Sequence, residues 1–491
     1  MLELLAIIFA IWAVVLLVVK KKGEKYGLEL AGPLIMWKTE KGKKFIDNVA
    51  KKKLWKFYGN FSIFICIIAM LFTTAIIIWN LIIAFKIPPQ NAPSPRLILG
   101  IPGINPVIPI GYGILALAIA IVVHEISHGI LARYGKIKVK SLGLLFLIVP
   151  IGAFVEPDEE QIKKTTRKIR SRIFSAGPAS NIVLAVVCIL ILSFILAPSI
   201  DAKYDGMVIT YDAYGLNQWD VISKINGIEF DNFTVWEKLD AGKIYNATIW
   251  RNGKEMNISI VKGLYVWKVE KNSPADGVLP EKSIIYAVNS VKIGSLKEFL
   301  KIMNSTYAGE KINISFYYNE NFSTVSLILG DKYDFIKKEE YKGKGFIGVN
   351  VIDLQNVAIY AKDFVKIYNP RKTNILFYLA LPFRGYSPPP SGLAEILTAP
   401  SSFWMIYNIF YWIFWLNFAV GTFNALPAIP LDGGYLFKDG ISYFLEKLSR
   451  KMKKERLEKV SSVIATIFSV FVLICIFSII LIPKLRLLIS F

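Results

Sequence analysis

The chain has 491 residues, a hydrophobic fraction of 54% and a formal net charge of +21. Soluble globular proteins rarely carry so much apolar sequence, and here the apolar residues form blocks long enough to cross a bilayer. The positive charge does not indicate a nucleic-acid partner, because 30 of the 58 Lys and Arg residues fall in three short stretches next to apolar blocks, 20–56, 133–172 and 435–459, which is a signature of membrane topology.

Two apolar blocks occupy the start of the chain. We predict membrane spans at about 2–19 and 58–85, which make residues 1–100 an N-terminal two-span region. The loop 20–56 between them carries 12 Lys and Arg residues. Since basic loops stay in the cytoplasm, the first span runs inward, the second outward, and the next, about 109–132, inward again.

The third span carries all the histidine of the chain. Its two residues, His124 and His128, lie four positions apart and therefore share one helix face, so both rings can bind one ion. Glu125 lies beside them as a base for water. The run 114–123 just before them is entirely apolar. The pattern predicts an intramembrane zinc hydrolase whose first catalytic half covers 101–197.

A shorter apolar stretch, 142–155, follows the histidines. It is too short for a full crossing, contains Gly143, Pro150 and Gly152, and has basic residues on both sides. Irregular backbone at membrane depth is tolerated only where protein buries it. We therefore expect a re-entrant loop or hairpin here, followed by a full span at about 173–197.

Residues 198–373 have the composition of a soluble domain, with strand-like runs that repeat in the same order in two halves. The segment 272–280, Asn-Ser-Pro-Ala-Asp-Gly-Val-Leu-Pro, together with the strand and helix after it, resembles a PDZ domain over about 263–330, and 203–262 resembles one more faintly. PDZ domains bind extended peptides by adding a strand to a sheet edge. We expect an extracytoplasmic, tandem PDZ-like insert of the α+β or β-rich class; the alternative is a steric filter that binds nothing in particular.

The last part of the chain supplies a carboxylate. Three consecutive prolines indicate a linker or interfacial segment at 374–402, and the second catalytic half, 403–491, has spans at about 403–423 and 459–483. Asp432 follows the first of these spans. A carboxylate at the end of a membrane span costs free energy, so by default we interpret it as part of a functional site. As a third ligand it would leave the fourth tetrahedral position open for water, as in catalytic zinc sites.

The location of the basic loops tests this ligand set independently of the motifs. His124 lies about 15 residues into an inward-running span, and Asp432 follows the end of another inward-running span. Both are therefore predicted to lie toward the cytoplasmic half of the bilayer, where one metal ion can be shared.

Four motifs now stand in order: H-E-x-x-H at 124–128, Gly-Ala-Phe-Val-Glu-Pro at 152–157, Gly-Pro-Ala-Ser-Asn at 177–181 and Leu-Asp-Gly at 431–433. With the PDZ-like insert between the third and fourth, the chain resembles the site-2 protease family of intramembrane zinc metalloproteases. The resemblance covers most of residues 109–440.

This resemblance implies roles for particular residues. In the family two histidines and an aspartate bind Zn²⁺ and a glutamate is the general base, roles that map onto His124, His128, Asp432 and Glu125. It also implies that Asn181 lies near the site and that the loop around Gly152 pairs with an unwound substrate strand.

The function implied is hydrolysis of a peptide bond within a transmembrane segment of a membrane protein, in regulated intramembrane proteolysis, with a site-1-type protease acting first. Membrane lipid is the surrounding partner. The fold class is an α-helical polytopic membrane protein with a re-entrant loop, in the plasma membrane of a prokaryote or an internal membrane of a eukaryote, and with its active site toward the cytoplasm.

Other interpretations remain open. The chain could be a membrane scaffold or chaperone that binds peptides through its insert, although the intact Glu125 argues against it. A metal transporter is disfavoured because two histidines and one carboxylate make a poor conduction path. Asp432 could instead cap a helix or turn before two glycines, and Asn181 could satisfy backbone groups freed by the preceding proline.

Overall fold

The computed structural model describes residues 2–40, 42–97, 99–147, 149–400, 402–448 and 453–489. The chain forms two compact units: Met1–Leu192 with Met405–Phe491, and Ser193–Trp404. The two catalytic halves predicted from the motifs thus belong to one helical unit, and the predicted insert forms the other.

Five helical segments within the described ranges are long and apolar enough to cross a membrane: Leu54–Ala84, Ile110–Tyr134, Arg167–Ser199, Phe403–Asn424 and Lys454–Leu485. They correspond to five of the six spans predicted from the sequence. The remaining one, 2–19, lies within a helix of 21 residues, Leu2–Lys22, and its crossing of the membrane stays a prediction. The chain is a polytopic helical membrane protein, which confirms this part of the predicted fold class.

The described residues in the first part of the helical unit form six α-helices and one sheet. In chain order its elements are α1 (Leu2–Lys22), β1 (Leu28–Ala31), β2 (Leu34–Thr39), α2 (Lys43–Ala50), α3 (Leu54–Ala84), α4 (Ile110–Tyr134), β3 (Val139–Leu147), β4 (Val149–Pro157), α5 (Glu159–Lys164) and α6 (Arg167–Ile191).

The stretch predicted to be a re-entrant loop or hairpin is a β-hairpin, formed by β3 and β4. Its sheet is antiparallel with strand order β1-β2-β3-β4, so β4 is an edge strand. Strands β1 and β2 come from the basic loop 20–56, for which the sequence predicted no strands. Strand β1 pairs with β2, and β2, with its apolar run Leu-Ile-Met-Trp, pairs with β3 more than 100 residues later.

Small residues let the helices of this unit approach closely. Ala116 and Ala120 of α4 and Ala176 and Ala179 of α6 are fully buried. A methyl group at Gly59 of α3 would meet Arg172 and Leu131 side chains at 2.9 Å. Close packing without bulky side chains is typical of membrane helices, which cannot rely on the hydrophobic effect to associate.

The described part of the insert contains two six-stranded sheets with equivalent strand orders and two small two-stranded sheets. Its elements are β5 (Asp201–Ala202), β6 (Met207–Ile209), β7 (Val221–Ile225), β8 (Ile228–Glu229), α7 (Thr234–Glu237), β9 (Ile244–Arg251), β10 (Lys254–Val261), β11 (Leu264–Val269), β12 (Ile284–Val288), β13 (Val291–Lys292), α8 (Leu296–Met303), β14 (Lys311–Tyr318), β15 (Asn321–Ile328), β16 (Gly330–Asp331), α9 (Lys332–Ile336), β17 (Gly345–Phe346), β18 (Val349–Ile352), α10 (Leu354–Val357), β19 (Ala358–Tyr360), α11 (Ala361–Val365), α12 (Ile375–Leu379), α13 (Ser391–Glu395) and β20 (Leu397–Thr398).

The two larger sheets have the orders β10-β9-β7-β6-β19 and β15-β14-β12-β11-β18. The repeat predicted from the sequence is therefore present, and it is nested, because the second sheet is completed by β18 before β19 closes the first. Each sheet covers its own core, around Trp236 in the first half and Phe299 in the second. The insert is of the predicted α+β, β-rich class.

The predicted boundary of the insert differs from the observed one. Residues 374–402, expected to be a linker or interfacial segment, contain α12, α13 and β20 and cluster with the insert. Strand β20 pairs with β5, so Leu397 lies opposite Ala202 and the two ends of the insert are joined by backbone hydrogen bonds. The three prolines indicated a break in regular structure, but the chain returns to the same unit after it.

Three helices complete the helical unit: α14 (Phe403–Asn424), α15 (Asp432–Leu448) and α16 (Lys454–Ile489).

Candidate metal centre

Helix α4 brings the two histidines together. Their rings lie on one face, with the two Nε2 atoms 3.1 Å apart, and both residues are less than a tenth exposed. The four-residue spacing therefore produces the shared face predicted from it.

Asp432 meets these rings from the first position of α15. Its Oδ2 lies 3.0 Å from Nε2 of His124 and 3.2 Å from Nε2 of His128. The two glycines that follow allow this approach, because a Cβ at Gly433 or Gly434 would overlap the backbone of the preceding segment, 425–429. The first turn of α15 can thus pack directly on the chain that leads into it.

The three donor atoms fit a zinc ion. Two imidazole nitrogens and a carboxylate oxygen are the donors of catalytic zinc sites, and bonds of about 2.0–2.1 Å in a tetrahedron place donors roughly 3.3 Å apart. The observed separations, 3.0 to 3.2 Å, are close to this edge length. Among the residues that the structure describes, this is the one group of three His, Cys, Asp or Glu side chains whose ligand atoms converge in this way.

Each histidine has a different outer environment. Nδ1 of His128 lies 2.7 Å from the carbonyl oxygen of Ile173 in α6. Since a carbonyl only accepts, Nδ1 carries the proton and Nε2 presents its lone pair to the metal position, as in other histidine-ligated sites. Nδ1 of His124 is buried and has no hydrogen-bond partner within the described ranges.

Gly177 of α6 lies against both rings, a role that the sequence analysis missed. A methyl group there would overlap Nε2 of His128 and the ring of His124. The available signal was the Gly-Pro step at 177–178 within an apolar helix, where a residue without a side chain permits the closest approach of another group. Sequence alone does not say which group approaches.

Glu125 is held by the hairpin. Its Oε2 accepts a hydrogen bond of 3.0 Å from the main-chain N–H of Val155 in β4. The motif at 152–157 thus contributes a backbone donor to the predicted base. Gly152 lies in the same strand, opposite Leu145 of β3.

Asn181 is completely buried in α6, one helical turn beyond Gly177. Neither its Nδ2 nor its Oδ1 has a hydrogen-bond partner among the described residues. A Cβ at Gly421 of α14 would lie 3.2 Å from the Cβ of Asn181, so the two helices are in contact here. Leaving a buried amide unpaired costs about 1–3 kcal/mol, which makes Asn181 a candidate for a ligand contact.

A sequence profile of Peptidase family M50 matches residues 112–472. The chain belongs to this family. The family contains metalloproteases, and the predicted family resemblance is confirmed. The chain is thus a multi-pass membrane zinc metalloprotease.

Three relatives extend the comparison. The uncharacterized protein MJ0971 of Methanocaldococcus jannaschii is 27% identical over 85% of this chain and 80% of its own. A putative zinc metalloprotease of Thermotoga maritima is 26% identical over 42% of this chain and 50% of its own. Zinc metalloprotease RasP of Shouchella clausii is 29% identical over 34% of this chain and 40% of its own. The chain thus spans half or less of the two relatives whose names state an activity.

Two of the solved structures that match the chain are PDZ domains. One, from the SdrC-like protein Lmo2051 of Listeria monocytogenes, is 21% identical, with a TM-score of 0.17, over 18% of this chain and 88% of that one. Another, from the SdrC-like protein Lin2157 of Listeria innocua, is 22% identical, with a TM-score of 0.16, over 18% of this chain and 92% of that one.

The contact between Gly177 and the histidines predicts the effect of one methyl group. Gly177→Ala should lower zinc affinity by roughly 100-fold or more, because the added Cβ displaces the two imidazoles. Zinc per purified chain, measured by atomic absorption after dialysis against a weak chelator, checks this. The control is Gly111→Ala, the same change in α4 at a position where a Cβ would meet nothing within 4 Å. Equal zinc retention by both variants would contradict the assigned contact.

Proposed function

We propose that this protein hydrolyses a peptide bond within a transmembrane segment of a membrane-protein substrate. The observation that carries the proposal is the convergence of three metal donors on α4, a helix apolar enough to span the membrane, with a carboxylate beside them tied to an edge strand. A scaffold that only binds peptides would have no use for this arrangement.

The roles of the residues follow from their chemistry. His124, His128 and Asp432 would hold Zn²⁺, which when bound polarises a substrate carbonyl and lowers the pKa of water. Glu125 takes a proton from the attacking water and passes it to the leaving amide nitrogen. The hydrogen bond from Val155 fixes one carboxylate oxygen of Glu125 and leaves the other for this transfer.

Strand β4 offers a docking edge for the substrate. The N–H of Val155 points away from β3, toward Glu125, and backbone groups alternate along a strand, so the N–H and C=O of Ala153 also face the free edge. A transmembrane helix hides its own carbonyls, so the substrate must unwind before attack. An unwound segment can then pair with this edge, which favours helix-breaking residues near the cut site.

The unpartnered amide of Asn181 supports a role in binding the substrate. We assign it to hydrogen bonding with a substrate main-chain group, where its Nδ2 can stabilise negative charge that develops on the carbonyl oxygen. This assignment also accounts for its complete burial without a partner.

The orientation of the chain in the membrane follows from the location of its basic stretches. We assign the basic stretches, and with them the active site, to the cytoplasmic side and the insert to the opposite side. The insert would then reject substrates with bulky external domains, or bind ends left by a first cut from a site-1-type protease, and the second cut would release a tethered cytoplasmic domain.

Glu125→Gln should abolish cleavage while zinc is retained. Glutamine keeps an oxygen that accepts from Val155 but cannot take a proton, so we expect a loss of roughly 100- to 10,000-fold in kcat. The assay is processing of a tagged single-span substrate in vesicles, with zinc content measured in parallel. Glu160→Gln, the same change on the exposed face of α5, is the control and should be fully active. Unchanged processing by Glu125→Gln would favour the scaffold.

Ala153→Pro tests the docking edge. Proline removes the outward N–H, and it is tolerated on edge strands because no ladder hydrogen bond inside the sheet is lost. We expect KM for the substrate to rise about fivefold to tenfold, the cost of one or more hydrogen bonds, while zinc content is unchanged. Ala153→Ser keeps the N–H and should behave as the wild type. The same KM for all three proteins would exclude strand pairing at this position.

A further inference from the structure

Residues 43–56, here named the basic corner, form α2, the turn after it and the first residues of α3. The corner has one acidic residue, Asp47, which pairs with Arg133 of α4. Its cations are Lys43, Lys44, Lys51, Lys52, Lys53 and Lys56, and all but Lys43 are exposed. The corner therefore presents a strongly positive surface and lies outside the region matched by the family profile.

The corner lies at the end of a membrane span. Helix α3, a candidate span, begins at Leu54, directly after three consecutive lysines. The indole of Trp55 donates a hydrogen bond of 2.6 Å to the carbonyl of Val49, which ties the start of α3 to the end of α2. Tryptophan at the end of a span is typical of the headgroup level.

Apolar side chains are interleaved with these lysines. Phe45, Leu54 and Phe57 are 61%, 62% and 70% exposed. Exposed phenylalanine and leucine between lysines is the pattern of a segment that lies in a membrane interface, with its apolar groups among acyl chains and its cations among headgroups. A soluble anion or a nucleic acid would leave these apolar groups in water.

The opposite edge of α2 reaches the hairpin that holds Glu125. Ile46 and Ala50 are buried in one core with Val155. A Cβ at Gly129 of α4 would lie 2.9 Å from Val155 Cγ1 and 3.1 Å from Ile46 Cδ1, so these three residues meet at one point. Val155 is also the residue whose N–H binds Glu125.

We propose that α2 is a lipid-dependent support of the active site. The lysines of the basic corner bind the headgroups of anionic phospholipids, and the α2 helix held there presses Ile46 against Val155, which keeps the N–H of Val155 on Glu125. Ile46 is a positioning residue in this account. The second part rests on the proposed role of Glu125; the first does not.

Thermal unfolding tests the lipid site without any substrate. The purified chain in an uncharged detergent is titrated with phosphatidylglycerol or with phosphatidylcholine of the same acyl chains. We expect phosphatidylglycerol to raise the melting temperature and phosphatidylcholine to leave it unchanged. Removing three charges with K51Q, K52Q and K53Q should raise the phosphatidylglycerol concentration needed for half of the shift by about 100-fold.

The matched control removes three exposed lysines of the insert, K254Q, K271Q and K297Q, and should respond as the wild type. Glycerol phosphate, a soluble headgroup, should give no shift because it lacks acyl chains. Equal shifts with both lipids, an unaltered response of the corner variant, or a full shift with glycerol phosphate would each overturn the lipid site.

Cleavage kinetics test the coupling to Glu125. In phosphatidylglycerol vesicles Ile46→Ala should lower kcat about tenfold at unchanged KM and zinc content, because a small displacement of a catalytic group is enough for such a loss. Ile46→Val should restore most of the rate. A change in zinc content or KM instead of kcat would show a purely structural role, and an unchanged kcat would contradict the coupling. A wild type that shifts with phosphatidylglycerol but cleaves nothing contradicts the proposed function and leaves the lipid site standing.

Discussion

The helical unit depends on one convergence: two imidazoles and a carboxylate, separated by more than 300 residues in the chain, meet with their donor atoms 3.0 to 3.2 Å apart. The helices that carry these donors can approach so closely only if they have small side chains at their contacts. Gly177 of α6 lies against the two rings, and Gly433 and Gly434 let the first turn of α15 fold onto the chain before it. The motifs that contain these glycines are therefore needed for the packing that brings the three donors together, as well as for their chemistry.

Glu125, the proposed general base, has a separate support. Glu125 is not held by the metal donors but by the main chain of β4, the edge strand of a sheet whose first two strands come from before the family region. Through this bond the orientation of Glu125 depends on β4, the strand whose free edge we propose as the docking edge for a substrate. One strand therefore makes two separate contacts: the N–H of Val155 holds Glu125, and the N–H of Ala153, two residues away, faces the free edge.

The features that the sequence predicted leave a local pattern of residue types, whereas the features that it missed depend on contacts between distant parts of the chain. His124, His128 and Asp432 were predicted because metal chemistry restricts the types of residue that bind an ion and their spacing. Five membrane spans were predicted because the length of an apolar stretch is enough to identify a span. The pairing of β2 with β3 was missed, since a strand's partner more than 100 residues away leaves no local pattern. The segment 374–402 was misassigned for a similar reason, because the pairing of Leu397 with Ala202 is invisible in a proline-rich stretch.

The partly buried carboxylate of Asp432 must be stabilised within an apolar helical unit before metal binds. An isolated charge in an apolar region is costly unless it is paired. Asp432 occupies the first position of α15, where the free N–H groups and the helix dipole favour a negative charge. This stabilisation by the helix N-terminus acts on the carboxylate with or without zinc. The donor set can therefore be formed in advance, so that metal binding requires little rearrangement of α4 or α15.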